Sequence, residues 1–204
     1  MSLASYNQLI ADVYTLTARP DLVAETALAV RKATMKAHLA DFWVNDIIQA
    51  LPVMPVISPG SLVSYRYTLD LTNAVTYPFF RKITSVKEYN NPLTGQEIQF
   101  KSLDPTNLLD SYRLEDINYY SQLGRSVSIR CNKALGTLAV NYYAYPDVTP
   151  ATYNSWVADQ FPDLIVEEAT ATIFNTIGKD AEAKKLRDNF AENMHFITMS
   201  QIVS

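Results

Sequence analysis

The side chains that could carry acid–base or nucleophilic chemistry are few in this sequence. The chain has two histidines, His38 and His195, and one cysteine, Cys131. No histidine pair stands at the i, i+4 spacing that lets one helix face bind a metal ion. His38 falls near the end of a predicted helix, where the helix dipole favours partial positive charge. His195 falls beside an apolar stripe, at a surface or an interface. We therefore expect structural positions for both.

The remaining candidates for chemistry are also better explained by structure. Cys131 lies on a predicted strand without a basic neighbour placed to activate its thiol, so we expect it to pack as a small apolar side chain. Glu167 and Glu168 are adjacent on a predicted helix and point about 100° apart, which excludes a paired-carboxylate site. The five glycines form no phosphate-binding motif. We predict no catalytic residue, no metal site and no cofactor, and hence a protein that is not an enzyme.

Composition narrows the class of protein further. The chain has 204 residues, of which 48% are apolar and 19% charged, as in an ordinary globular domain. The net charge of −4, without a basic run, argues against tight nucleic-acid binding. One cysteine excludes an internal disulfide and is typical of a reducing compartment. The opening residues do not resemble a secretory signal, and no apolar run approaches membrane-spanning length. We expect a product made in the cytoplasm.

The elements that would position these residues fall into zones. Residues 1–50 read as two helices: apolar residues at spacings of three and four predict the first, Pro20 ends it, and Asp21 is a candidate cap for the second. Residues 51–150 alternate with period two, which predicts strands joined by short turns and paired antiparallel. The clearest alternation places Tyr65, Tyr67, Leu69 and Leu71 on one face.

Residues 151–197 return to helix. Asp163 is a candidate cap for a helix that ends at Gly178, and Asp180 opens another. The second helix has an apolar stripe at spacings of three and four: Leu186, Phe190, Met194 and Ile197. The predicted fold class is α+β, with N- and C-terminal helix pairs forming a bundle that carries an inserted antiparallel β domain. Residues 198–204 are predicted to be an extended tail.

The end of the chain is unusually apolar for a terminus. Exposed apolar segments tend to mark interaction sites. The apolar side chains at the end of this chain are therefore the predicted partner-binding residues: Phe196, Ile197, Met199, Ile202 and Val203. The alternative is that the tail folds back onto its own core.

Aromatic residues offer a second possible function. The pair Tyr142-Tyr143 could stack a sugar or a base, although an alternating strand places the two rings on opposite faces. A carbohydrate-recognising β module using Tyr65, Tyr67, Tyr142 or Tyr143 is the alternative to a structural subunit.

Three segments resemble the tailed-bacteriophage head-to-tail adaptor (connector) family, also described as similar to tail tubular protein A. They are TARPDLVAETALAVRKATMKAHLADFWVNDI, TLAVNYYAYPDVTP and FPDLIVEEATATIFNTIGKDAEAKKLRDNF, which together cover 75 of the 204 residues. The middle β region departs from the family pattern.

The resemblance implies a ring, commonly of twelve subunits, beneath the portal vertex at the virion neck. DNA passes through the lumen of such a ring without specific binding. It also implies that the C-terminal segment binds the portal protein and that the β region faces a tail or nozzle protein. No membrane partner is implied.

Overall fold

The structure is a computed structural model that describes residues 5–54, 56–58, 65–89, 98–106, 118–131 and 134–202. It divides into two compact units. Residues up to Asn45 and from Tyr145 onward form a helical unit, and Asp46–Ala144 forms a β unit. No helix of the described residues is long and apolar enough to cross a membrane.

The helical unit contains five α-helices, α1 (Tyr6–Thr17), α2 (Val23–Leu39), α3 (Trp156–Gln160), α4 (Pro162–Thr176) and α5 (Asp180–Ile202), within the described residues. A 3-10 turn, Val44–Asp46, follows α2. Helix α4 contacts each of the other four helices. Its side chains are buried around much of its circumference: Leu164, Ile165, Val166, Ala169, Ala171 and Ile173. The core of this unit therefore surrounds α4.

Some helices end where local signals in the sequence predict. Helix α1 stops before Pro20, and Ala18 closes it in the left-handed conformation with φ of 52°. At the end of α4, Gly178 has φ of 79°, and the Lys179 amide donates to the Phe174 carbonyl oxygen at 2.8 Å. This Schellman arrangement is the termination that Gly178 predicts.

Both predicted aspartate caps are wrong. Leu22 is the N-cap of α2, and no side chain caps it. Asp21 instead forms an ion pair with Arg19, whose Nη2 lies 2.8 Å from Oδ2. Phe161 is the N-cap of α4, because Pro162 occupies the first helical turn and leaves Asp163 inside the helix.

The β unit is a sheet of eight described strands. They are β1 (Ile47–Val53), β2 (Val56–Ser58), β3 (Tyr65–Asp70), β4 (Phe80–Tyr89), β5 (Gln99–Ser102), β6 (Tyr119–Leu123), β7 (Ser126–Cys131) and β8 (Thr137–Ala144), in the order β1-β8-β4-β5-β6-β7-β3-β2. Alternate residues face the core as predicted, since Tyr67 and Leu69 are buried while Arg66 and Asp70 are exposed. The side chain of Tyr65 lies outside the described residues.

The α+β class is confirmed, but the predicted arrangement is wrong. The helices are not organised as N- and C-terminal pairs around an antiparallel insertion. Instead, α1, α2, α3 and α5 pack on the central α4, because periodicity identifies an apolar face without identifying its partner. The sheet is mixed rather than antiparallel, because β5 pairs with β6 in parallel. The 16 residues between these strands, 103–118, are enough for the crossover that parallel neighbours need.

The end of the chain also differs from its prediction. Helix α5 continues through Ile202, so the tail predicted to be extended from residue 198 is helical over 198–202, and residues 203–204 lie outside the described part. No proline or glycine interrupts the sequence from Asp180 onward. Met194 and Ile197 pack in the core and fix the helix nearly to its end. The absence of proline and glycine after Asp180 is therefore a signal that α5 continues to the end of the described residues.

Candidate interaction surface

The five predicted partner-binding residues do not form one cluster. Phe196 and Met199 are 71% and 51% exposed, whereas Ile197 is only 3% exposed and belongs to the core of the helical unit. Ile202 is the last residue of α5, and its side chain is not described. Val203 lies outside the described residues. Ile197 therefore folds back onto the core, whereas Phe196 and Met199 point away from it.

Helix geometry explains this separation. Successive residues of an α-helix point about 100° apart, so residues three or four apart share a face. The inner face of α5 carries the predicted stripe, of which Phe190, Met194 and Ile197 are buried. Phe196 and Met199 lie on the opposite side. Two acidic residues continue this side toward the start of α5, and we call the four residues together the outer face of α5: Asp188, Glu192, Phe196 and Met199.

A groove lies beside α2 in the same unit, with a volume of about 650 Å³. Its apolar lining includes Leu28 and Leu39, each 48% exposed, and the half-buried Met35. We call it the α2 groove, and its remaining lining residues are Arg31, Lys32, Lys36, Ala40, Val148, Phe190 and Met194. Sequence reasoning missed this surface, although apolar residues at 28, 35 and 39 indicate a second stripe on α2.

The cations of the groove differ in their surroundings. Lys36 is held in place, because its Nζ lies 2.7 Å from Glu168 Oε1 and 4.5 Å from the centre of the Phe190 ring. Arg31 and Lys32 are exposed, and neither forms an ion pair within the described part of the chain. The groove therefore offers apolar surface with two available positive charges.

His38 occupies a buried structural position. Its Nε2 lies 2.9 Å from Ser155 Oγ, and its ring meets the Trp156 ring edge-on at 5.8 Å. Ser155 Oγ also accepts a hydrogen bond from the Ala158 amide and so caps α3. A serine beside a histidine resembles an activated nucleophile, but His38 and Ser155 are only 2% and 3% exposed. A substrate has no access to this pair, which serves instead to join α2 to the start of α3.

The other candidate residues fall into ordinary environments. Cys131 is fully buried on β7, as predicted for a packed apolar side chain, and His195 is exposed on α5. Groups of three or more histidine, cysteine or acidic residues placed to hold a metal ion do not occur among the described residues.

Two of the four tyrosines proposed as sugar-stacking platforms, Tyr67 and Tyr142, are unavailable. Tyr67 is 2% exposed, and its hydroxyl accepts a hydrogen bond from the Leu135 amide at 2.8 Å. Tyr142 is fully buried, and its hydroxyl donates to the Pro78 carbonyl oxygen at 3.1 Å. Tyr143 is half-buried on the other face of β8, as alternation predicts. A ring that is packed on both sides cannot stack a sugar.

Comparison with known proteins adds no identification. No protein-family model matches this chain, and no curated protein matches it. We therefore assess the outer face of α5 and the α2 groove from their geometry and charge alone.

The adjacent carboxyl groups of Glu167 and Glu168 each have a buried oxygen without a hydrogen-bond partner among the described residues, but only Glu168 has an ion-pair partner. Burial raises the pKa of the Glu167 carboxyl, and the nearby charge of Asp163 raises it further. Glu167 Oε2 is buried without a hydrogen-bond partner among the described residues. Glu168 instead has Lys36 as its ion-pair partner.

We expect Glu167→Gln to stabilise the fold at neutral pH. A carboxyl whose pKa is raised on folding favours the folded state most below its unfolded pKa of about 4.3, and loses that contribution as pH rises through the folded value. The advantage of the variant should therefore shrink as pH falls toward 4. Urea denaturation across a pH series measures it. The matched control, Glu168→Gln, should instead destabilise, because it weakens the contact with Lys36. A pH-independent difference between Glu167→Gln and wild type would contradict the assignment.

Proposed function

We propose that the chain is a non-enzymatic structural subunit of a bacteriophage head-to-tail connector. In this role it forms a ring at the virion neck, binds the portal protein and a tail or nozzle protein, and lets DNA pass through the lumen. The observation that carries the proposal is the outer face of α5, where Phe196 and Met199 are exposed at the apolar end of the chain. Apolar side chains held outward on a helix favour protein association.

Further support comes from the charge of the chain and from the sequence segments that resemble the family. A net charge of −4 suits a lumen that DNA crosses without being held. The sugar-binding alternative has less support, because Tyr67 and Tyr142 are buried.

The test is assembly by a variant that alters only the outer face. Removing residues 196–204 would also remove Ile197 from the core, so substitution is the cleaner experiment. We expect Phe196→Asp/Met199→Asp to keep the wild-type circular dichroism spectrum and melting temperature, because both side chains are exposed. Its assembly with the portal protein and other copies should fall by a hundredfold or more, on the order of the effect of losing an aromatic anchor.

Sedimentation velocity of the full chain, alone and mixed with the portal protein of the same virion, measures this loss. Val75→Asp is the matched control, since Val75 is 92% exposed in the β unit and receives the same apolar-to-acidic change. Wild-type assembly by Phe196→Asp/Met199→Asp, or failure of the wild-type chain to bind any portal protein, would contradict the proposal.

A further inference from the structure

The outer face of α5 and the α2 groove match in length. The groove follows α2 from Leu28 to Leu39, and the outer face runs from Asp188 to Met199. Each covers eleven helical steps, or about 16 Å at 1.5 Å per residue. In the register described next, Asp188–Phe196 lies along Leu28–Lys36, an overlap of eight helical steps or about 12 Å, and Met199 lies past the Leu28 end of the groove.

The two surfaces also match in chemistry when the helices run antiparallel. Residues 28, 32 and 36 of α2 are spaced by four, as are residues 196, 192 and 188 of α5. In this register Phe196 meets the apolar Leu28, Glu192 meets Lys32, and Asp188 approaches Lys36. Each step is about 6 Å on both helices, so the alignment holds along its length.

Apart from Lys36, which already forms an ion pair with Glu168, the charges of this register are available on both sides. Lys32 and its neighbour Arg31 form no ion pair within the described residues, and neither do Asp188 and Glu192. All four side chains are exposed. Lys184 and Lys185 are exposed one turn before Asp188, and in this register Lys185 falls opposite Leu39 at the end of the groove. A groove with an apolar lining and cations at its edge should bind a helix that carries apolar and acidic residues better than it binds a phosphate backbone.

We propose that the outer face of α5 in one copy binds the α2 groove of the next copy. The two surfaces are different patches of one chain, so the contact is heterologous, and repetition of such a contact closes a ring when its rotation permits. This inference rests on the proposed function, because it names a neighbouring copy as the partner of the outer face.

A charge exchange tests the contact. Lys32→Glu and Glu192→Lys should each weaken self-association by about tenfold, because each places like charges opposite one another. The double variant Lys32→Glu/Glu192→Lys should restore it, since every contact then regains an opposite pair. Sedimentation velocity of the full chain over a micromolar-to-millimolar series measures this. Lys101→Glu, an exposed lysine of β5 given the same change, should behave as wild type.

Cross-linking establishes which surfaces meet. A Lys32→Cys chain mixed with a Glu192→Cys chain should form a mixed dimer with a short thiol cross-linker, whereas either chain alone should not. Cys131 is fully buried and should stay unmodified in folded protein.

Several results would overturn the inference: a wild-type chain that stays monomeric throughout the series, absence of the mixed cross-link, or a double variant as weak as the single ones. Loss of duplex-DNA binding by Lys32→Glu with unchanged self-association would also overturn it and assign these cations to DNA.

The outcomes separate the inference from the proposed function. If Phe196→Asp/Met199→Asp loses the portal protein while charge exchange changes nothing, the groove contact is wrong and the connector function stands. If charge exchange behaves as expected but no portal protein binds, the contact stands and the connector function fails.

Discussion

Replacing Trp43 with alanine should lower the free energy of unfolding of the helical unit by about 3–5 kcal/mol, the usual cost of removing a large buried aromatic side chain. Trp43 is only 2% exposed. Its ring meets the Trp156 ring edge-on at 5.7 Å, and its Nε1 donates to the Ala37 carbonyl oxygen at 3.1 Å. Its removal would leave a cavity at the end of α2 and a carbonyl oxygen without its partner.

The neighbouring aromatic residue provides the control for this experiment. Phe42 is 43% exposed, so Phe42→Ala should change stability by about 0.5 kcal/mol or less. Trp43→Phe should fall between the two, since it keeps a ring but loses the hydrogen bond. Urea denaturation followed by far-UV circular dichroism measures all three. Similar losses for Phe42→Ala and Trp43→Ala would show that Trp43 does not anchor this core.

A loss of similar size is expected in the β unit from Tyr142→Ala, again about 3–5 kcal/mol. Tyr142 is fully buried on β8, and its ring centre lies 5.9 Å from that of Tyr77 and 5.5 Å from that of Phe80. Tyr77 and Phe80 are themselves only 3% and 6% exposed, and burial raises the pKa of Tyr77 to about 12. Truncation would therefore open a cavity that water does not readily fill.

Two variants separate packing from hydrogen bonding at this position. Tyr142→Phe removes only the bond to Pro78 and should cost about 1 kcal/mol. Tyr143→Ala, on the opposite face of the same strand, should cost less than Tyr142→Ala because Tyr143 is only half-buried. Hydrogen exchange of β4 and β8 peptides, together with chemical denaturation, would locate the loss in this unit. A larger loss from Tyr143→Ala would reverse the assignment of faces.

Local patterns in the sequence determined which segments form helices and strands. Spacings of three and four predicted the buried Phe190, Met194 and Ile197, and alternation predicted the buried Tyr67 and Leu69. Gly178 and Pro20 placed helix ends, because their backbone limits act within a few residues. The two aspartate caps failed for a local reason too: Asp21 has a better partner in Arg19, and Pro162 starts α4 before Asp163.

Pairing between distant segments was decided by the tertiary structure. Periodicity shows that a helix has an apolar face, but several other helices have apolar faces of similar size that could pack against it. The central place of α4 could therefore not be predicted from the sequence. The parallel pairing of β5 with β6 likewise depends on the path of the chain between them. The same limit applies to the ion pair of Lys36 with Glu168 and to the contact of His38 with Ser155, which join α2 to residues more than a hundred positions away.

The candidate surface shows the same division. By itself, the sequence determined that the end of the chain is apolar and that it lacks a helix-stopping residue. Only the folded structure decided that Ile197 points into the core while Phe196 and Met199 point outward, and that an apolar groove with exposed cations lies along α2. The physical reason is that an apolar residue is equally suited to a core and to an interface. Its role is fixed by which side of the helix the remainder of the fold covers.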